Sequence, residues 1–363
     1  MKTTKNTSRR RVIPITLGLA LLWTVAPTLA PLALANTGTT SLTGAGATFP
    51  YPLYSKWFDM YHEKTGIEIN YQSIGSGGGI QQIKAGTVDF GASDAPLSDA
   101  RLKEMPRRII HFPTVGGAVV LAYNLPSVRQ PLQLTPDLIA GIYMGKITNW
   151  NDKRIAASNP GVALPAAPIL PVHRSDGSGT TNIFTTYLSA VDAPWKEMVG
   201  ANTSVSWPVG IGGKGNEGVS GLIRQTQGAI GYVELAYAKQ NKLPVAHVRN
   251  KSGKFIEPTL ASTTAAGEGA APMLAKDVRF PIANSPAPAA YPICGLTFLL
   301  VYQDQKDPGK AHALAGFIEW AIHDGQSVAP SLDYAPLPDA VVKVDEVSLR
   351  RLTVGGKPLL ANR

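Results

Sequence analysis

The sequence predicts an α/β protein built as two domains that meet at a hinge and enclose a ligand cleft. Three observations support that expectation. Strand-like alternation and helix-like apolar periodicity follow one another along the chain, the pattern of an α/β architecture. About 328 residues remain beyond residue 35, enough for two separate cores. Two stretches look like crossings between them: Phe112-Pro113-Thr114 with Val115-Gly116-Gly117, and the Pro/Ala-rich run from Ser285 to Pro292. The expected division is a signal peptide over 1–35, a discontinuous first lobe over 36–114 and 289–363, and a second lobe over 115–288.

The leader comes first. Lys2, Lys5 and Arg9-Arg10-Arg11 precede an apolar run from Val12 to Ala35 that ends in Ala33-Leu34-Ala35. A basic start, an apolar middle and a small-x-small ending describe a cleaved export signal. The whole chain has 34 Lys and Arg against 25 Asp and Glu, a net +9. Removing the five basic residues of 1–35 leaves 29 against 25, or +4. That mild excess, with no basic stripe carrying interleaved aromatics, excludes a nucleic-acid partner. It suits a small anion without identifying one.

Three strand–small-residue loop–helix units follow. Gly44-Ala45-Gly46-Ala47-Thr48-Phe49 leads from a short strand into a helix, with Pro50 or Pro52 fitted to its first turn. Tyr54, Trp57, Phe58 and Tyr61 recur at helical spacing there and are expected in the core. Gly75-Ser76-Gly77-Gly78-Gly79 follows the alternation Ile67, Ile69, Tyr71 and precedes a helix expected to begin at Ile80. Arg174-Ser175-Asp176-Gly177-Ser178-Gly179-Thr180 opens an apolar-periodic segment containing Ile183, Phe184, Tyr187 and Leu188. Helix starts leave backbone N–H groups without intrahelical partners and carry the positive end of the helix dipole. Glycines allow close approach of a ligand, and arginine adds paired, charge-assisted bonds to an oxyanion. Three such units suggest helix N-termini converging on one small anion.

Enzyme signatures are absent from these loops. Phe49 breaks the dinucleotide fingerprint, and Gly215 follows Gly213-Lys214 where a Walker A motif needs Ser or Thr. Ile74 and Asp176 stand where G-x-S-x-G needs its first glycine. The six histidines form no H-x-H or H-E-x-x-H pattern, so no metal site is expected. His173 is expected to be a strand-end residue. Cys294, the single cysteine, precludes an internal disulfide and sits in an apolar run expected to be a buried strand. Ala261–Ala271, rich in Ala, Thr and Gly, is expected to be a surface loop.

Taken together, these segments resemble the periplasmic phosphate-binding proteins of ABC-type phosphate importers over nearly all of the chain beyond the leader. The resemblance rests on Leu42–Pro50, Val88–Ser98 and the Arg174 loop. Gly212–Asn216, Gly228–Glu234 and Asp333–Pro338 add to it. It implies a two-lobed periplasmic binding protein fold with an interdomain cleft. The phosphate ligands would be Ala47, Thr48 and Phe49, then Ser76, then Asp94 and, from the other lobe, Arg174, Ser178, Gly179 and Thr180. Asp176 would hold the Arg174 guanidinium, and Gly212–Asn216 would be a structural turn.

The resemblance further implies a monomeric, non-enzymatic periplasmic receptor without cofactor. It would deliver inorganic phosphate to the transmembrane permease subunits and ATPase of an importer. Asp94 is the expected selectivity residue: an ionised carboxylate only accepts hydrogen bonds, phosphate keeps a proton to donate, and sulfate does not. The alternatives are a receptor for another tetrahedral oxyanion (arsenate, sulfate or molybdate) and an exported phosphatase using Ser76 or Ser178.

Overall fold

The computed structural model describes residues 40–360; the leader expected over 1–35 lies outside them. Strands and helices alternate at the start as β1 (Ser41–Gly46), α1 (Tyr51–Thr65), β2 (Glu68–Ser73), α2 (Ser76–Ala85) and β3 (Phe90–Ser93). A long strand, β4 (Ile109–Tyr123), follows. Further on come β5 (Leu170–Arg174), α3 (Gly179–Val191), β6 (Ile211–Gly213), α4 (Gly215–Gln225), β7 (Ala229–Glu234) and α5 (Leu235–Gln240). The chain then forms α6 (Leu260–Leu274), β8 (Cys294–Tyr302), α7 (Pro308–Ile322) and α8 (Asp339–Leu349). The eight strands make one sheet in the order β2-β1-β3-β8-β4-β7-β5-β6.

β4 is the structural spine, because all fifteen of its residues are buried. Its near-continuous apolar sequence is what a strand covered on both faces requires. Along Ile109–Ala118 it pairs antiparallel with β8, and along Val119–Tyr123 antiparallel with β7. The crossing expected at 112–117 is therefore one unbroken strand that changes partner between Ala118 and Val119. Pro113 cannot donate to the ladder and is tolerated because Thr114 is bulged out opposite Thr297 and Phe298. On one side of this spine β1, β2 and β3 run parallel; on the other β5, β6 and β7 do.

The aromatic stripe of α1 is core, as its spacing predicts. Tyr54, Trp57, Phe58 and Tyr61 are buried, and they pack against Phe317 and Trp320 of α7 and against Tyr71 and Phe90. Tyr54 shares its hydroxyl with Thr114 at 2.7 Å, which ties the bulge to this helix. β8 is buried throughout, Cys294 included.

Two local expectations are corrected. Ala261–Ala271 is not a loop but most of α6. Thr259 and Ser262 form a reciprocal capping box at its start, and the alanines favour helix. Its small residues serve packing: a side chain at Gly269 would stand 2.6 Å from Ser285 Oγ. Likewise α2 begins at Ser76, not Ile80, so the glycine run is its first turn. Glycine is needed there because a Cβ at Gly77 would lie 2.9 Å from the Gly177 Cα.

Candidate anion-binding site

The first arm is the turn from β1 into α1. Here Ala47 donates its N–H to the Ala92 carbonyl at 2.9 Å, so it shapes the turn and has no backbone donor left to offer. The carbonyls of Ala47, Thr48 and Phe49 each accept a tyrosine hydroxyl, from Tyr71 (2.8 Å), Tyr237 (2.6 Å) and Tyr334 (2.6 Å). Burial raises the pKa of all three phenols, which keeps them protonated donors. With the carbonyls tied back, the N–H groups of Thr48 and Phe49 have no acceptor among the described residues. They stand at the positive end of α1.

The second arm enters α2 through Gly75, whose φ of 88° suits glycine alone. Its neighbour Ser76 is fully buried; the Ser76 Oγ accepts from the N–H of Gly179 at 3.0 Å and from that of Asp94 at 3.3 Å. The third arm approaches so closely that Gly77 donates to the Gly177 carbonyl at 2.8 Å.

In that third arm, Arg174 ends β5 and its side chain is 1 % exposed. Its Nε and Nη2 bind the two Asp176 oxygens at 2.7 and 2.5 Å, a bidentate fork. Burial alone would raise the Asp176 pKa, but the Arg174 guanidinium outweighs it and holds the carboxyl below its usual range. Gly215 N–H adds a further bond to Asp176 Oδ1 at 3.1 Å. Arg174 Nη1 points the other way, to Thr180 Oγ1 at 3.3 Å. Ser178 caps α3 by accepting from Thr181 N–H, which leaves its own O–H free to donate.

Asp94 faces these donors. Its Oδ1 accepts from Thr297 Oγ1 at 2.8 Å, while its Oδ2 lies where a side chain at Gly179 would be. Burial pushes the Asp94 carboxyl up to about 7, against the opposing pulls of the Thr297 bond, the Arg174 charge and Ser76. The group therefore titrates near neutrality rather than staying ionised at every working pH.

All nine residues expected to contact an anion thus lie in one buried cluster, and none of the eight non-glycine members is more than 4 % exposed. Asp176 braces the arginine. Sequence reasoning missed Thr297, which holds Asp94, and the three tyrosines. It also took Gly212–Asn216 for a turn. In fact the segment is β6 running into α4, and the Asn216 side chain reaches Thr48 at 2.8 Å and Thr180 at 3.2 Å. A signal existed for Asn216, Tyr334 and Thr297. The first two stand in segments that carried the resemblance, and the third in an apolar strand where a lone threonine needs a partner. His173 lies at the end of its strand, one residue before Arg174, stacked on Trp207 at 4.9 Å and bonded to the Arg174 carbonyl. Among the described residues no three His, Cys, Asp or Glu side chains gather as a metal ligand set.

Comparison with known proteins gives a consistent picture. Residues 33–324 match the family model described as a PBP superfamily domain. The chain is 47 % identical over 314 residues to the phosphate-binding protein PstS of Xylella fastidiosa (strain 9a5c), covering 86 % of each chain. It is 45 % identical over 313 residues to PstS of Haemophilus influenzae, covering 86 % of this chain and 92 % of that one. Among solved structures, a high-affinity periplasmic phosphate-binding protein bound with phosphate at pH 8.5 aligns with a TM-score of 0.70 and 24 % identity. That alignment covers 88 % of this chain and all of the other. A putative phosphate ABC transporter substrate-binding protein from Clostridium perfringens aligns with a TM-score of 0.60 and 19 % identity, over 82 % of this chain and all of the other.

Proposed function

The chain belongs to the PstS family of phosphate-binding proteins within the PBP superfamily, and from that premise we propose how its own residues hold and select the anion. Members of this family are receptors for phosphate in ABC-type transport, not enzymes, and this chain acts as one. The observation that carries the residue assignment is an imbalance of polarity. The cluster offers the guanidinium of Arg174, helix-start N–H groups and the hydroxyls of Thr48, Ser76, Ser178 and Thr180, against one side-chain acceptor, Asp94. Ala47 and Phe49 complete the first arm, Gly179 lets the anion approach, and Asp176 aims the arginine.

Burying a multiply charged anion is costly unless every oxygen is paired. Donors from all three arms meet that requirement and support micromolar affinity or better, about −8 kcal/mol or stronger. Selectivity comes from one shared proton. Phosphate carries it to Asp94 Oδ2, whereas sulfate sets acceptor against acceptor unless Asp94 is itself protonated.

Residues 36–114 with 289–363 form one lobe in this reading, and 115–288 the other. The partner change within β4 supports a hinge there. Closure of the lobes marks the loaded state for the transmembrane permease and its ATPase. The protein works as a periplasmic monomer after loss of the 1–35 leader. Calorimetric titration of residues 36–363, stripped of carried-over anion, tests the proposal. One-to-one binding of phosphate, with sulfate much weaker near pH 8, is expected. Failure to bind phosphate overturns it.

A further inference from the structure

Asn216 lies fully buried in the first turn of α4, and the residues around it settle its orientation. The Glu234 N–H is a donor, so the side-chain atom that meets it at 2.9 Å is the amide oxygen. The NH2 group then faces Thr48 and Thr180 and donates to their hydroxyl oxygens, which lie 2.8 and 3.2 Å from its nitrogen. Asn216 does not cap its own helix with this side chain: the cap position is Lys214, and no side chain caps that helix start. Every polar atom of the amide is spent on other parts of the chain.

Counting lone pairs shows what those bonds do. A hydroxyl has one proton to give and two lone pairs to fill. Thr48 Oγ1 takes the Asn216 backbone N–H at 3.2 Å and its amide NH2 at 2.8 Å. Thr180 Oγ1 takes the same NH2 at 3.2 Å and Arg174 Nη1 at 3.3 Å. Both lone pairs are filled in each case, so each hydroxyl is left only its proton. Ser76 Oγ is filled in the same manner, but by the N–H groups of Gly179 and Asp94. Asn216 plays no part there.

We propose that Asn216 is a positioning residue for anion recognition: its amide fills one acceptor site on each of Thr48 and Thr180, its own N–H and Arg174 fill the other, and both hydroxyls can then only donate to the anion. This rests on the phosphate-receptor reading. It extends that reading by making the donor character of two ligand hydroxyls a property of a third residue that is itself no ligand. It also accounts for Asp94 as the lone side-chain acceptor, since the threonines have no acceptor capacity to spare.

Double-mutant cycles on phosphate affinity test the idea. Asn216→Ala, Thr48→Val and Ser76→Ala should each weaken binding about 10- to 100-fold, the range for hydrogen bonds to a charged group. If Asn216 acts through the threonine hydroxyls, Asn216→Ala with Thr48→Val should lose clearly less than the product of the two single losses, because the Thr48 share of the Asn216 effect is already gone. Asn216→Ala with Ser76→Ala should multiply its losses, as independent sites do. Multiplied losses in the first pair overturn the proposal. So do equal couplings in both pairs, the mark of general disruption, and Asn216→Ala binding within about twofold of wild type. Should Asn216→Ala fail to fold by circular dichroism, Asn216→Ser serves the same cycle, being too short to bridge the threonines. Wild-type protein that binds no phosphate would sink the receptor reading itself, a separate result.

Discussion

Replacing Asp94 by asparagine should narrow the preference for phosphate over sulfate, and changing pH should mimic the substitution in the wild type. Thr297 occupies Asp94 Oδ1 at 2.8 Å, which leaves Oδ2 as the acceptor for an anion's proton. An unpaired acceptor in a desolvated site costs about 1–3 kcal/mol, so discrimination of about 5- to 150-fold follows from this contact alone. Like-charge repulsion adds to it. Asp94→Asn places an amide donor there, and the affinity ratio should fall by about that factor. The pH arm follows from burial, which holds the carboxyl at about 7. Sulfate binds when Asp94 carries the proton, so its apparent affinity scales with the protonated fraction. That fraction is about 0.1 at pH 8 and about 0.9 at pH 6, giving about a tenfold gain in sulfate affinity. Asp94→Asn should show no such slope. Competition calorimetry with both anions at pH 6, 7 and 8 measures each arm. An unchanged ratio in Asp94→Asn, or sulfate affinity flat with pH in the wild type, refutes proton counting at this residue.

The same carboxyl should shape stability in the anion-free protein. Its folded pKa of about 7 lies above the ordinary 3.8. Its contribution is therefore complete below about pH 4 and lost as pH rises to about 7, a change of up to about 4 kcal/mol. Denaturant melts of wild type against Asp94→Asn should diverge over that window, with the variant gaining towards pH 8. Arg174→Ala should weaken phosphate and sulfate alike by about 100-fold or more, and Asp176→Asn by less, about tenfold, because it loosens the guanidinium without removing it; titration of both variants with both anions checks this. Gly179→Ala would put a Cβ against Asp94 Oδ2 and 2.5 Å from Ser76 Oγ. It should cost about 100-fold in phosphate affinity while circular dichroism stays native. Burial pushes the Cys294 thiol well above its ordinary range, so a thiol reagent should label native protein at a small fraction of its rate in denaturant.

Legibility in the sequence tracked the range of the interactions involved. The three loop–helix arms could be read because glycine, serine and threonine before an apolar period is a local signal, and so was the α1 stripe. α6 was misread because its glycines signal a loop locally, while packing against Ser285 and Ala287 is what asks for small residues. The start of α2 was missed for the same reason, its glycines being demanded by Gly177 from a distant arm. Asp94 could be picked out only through the family resemblance, since before Ala95-Pro96 it looks like a turn former. Asn216 and Thr297 act across 168 and 203 positions of sequence on Thr48 and Asp94. No spacing rule reaches that far.

The bond from Gly77 N–H to the Gly177 carbonyl involves none of the residues assigned to the anion and carries no chemical preference, yet it bears on time. On the proposed receptor reading, an anion enclosed by these arms would leave when the backbones at 75–77 and 177–179 part, so its residence would depend on how often two glycine segments separate. Selection and dwell time would then answer to different residues: Arg174 and Asp94 to which anion is held, the glycine contact to how long. A carrier organised in this way can keep its grip in dilute surroundings and still unload promptly, provided the recipient pulls on the seam and leaves the charges alone.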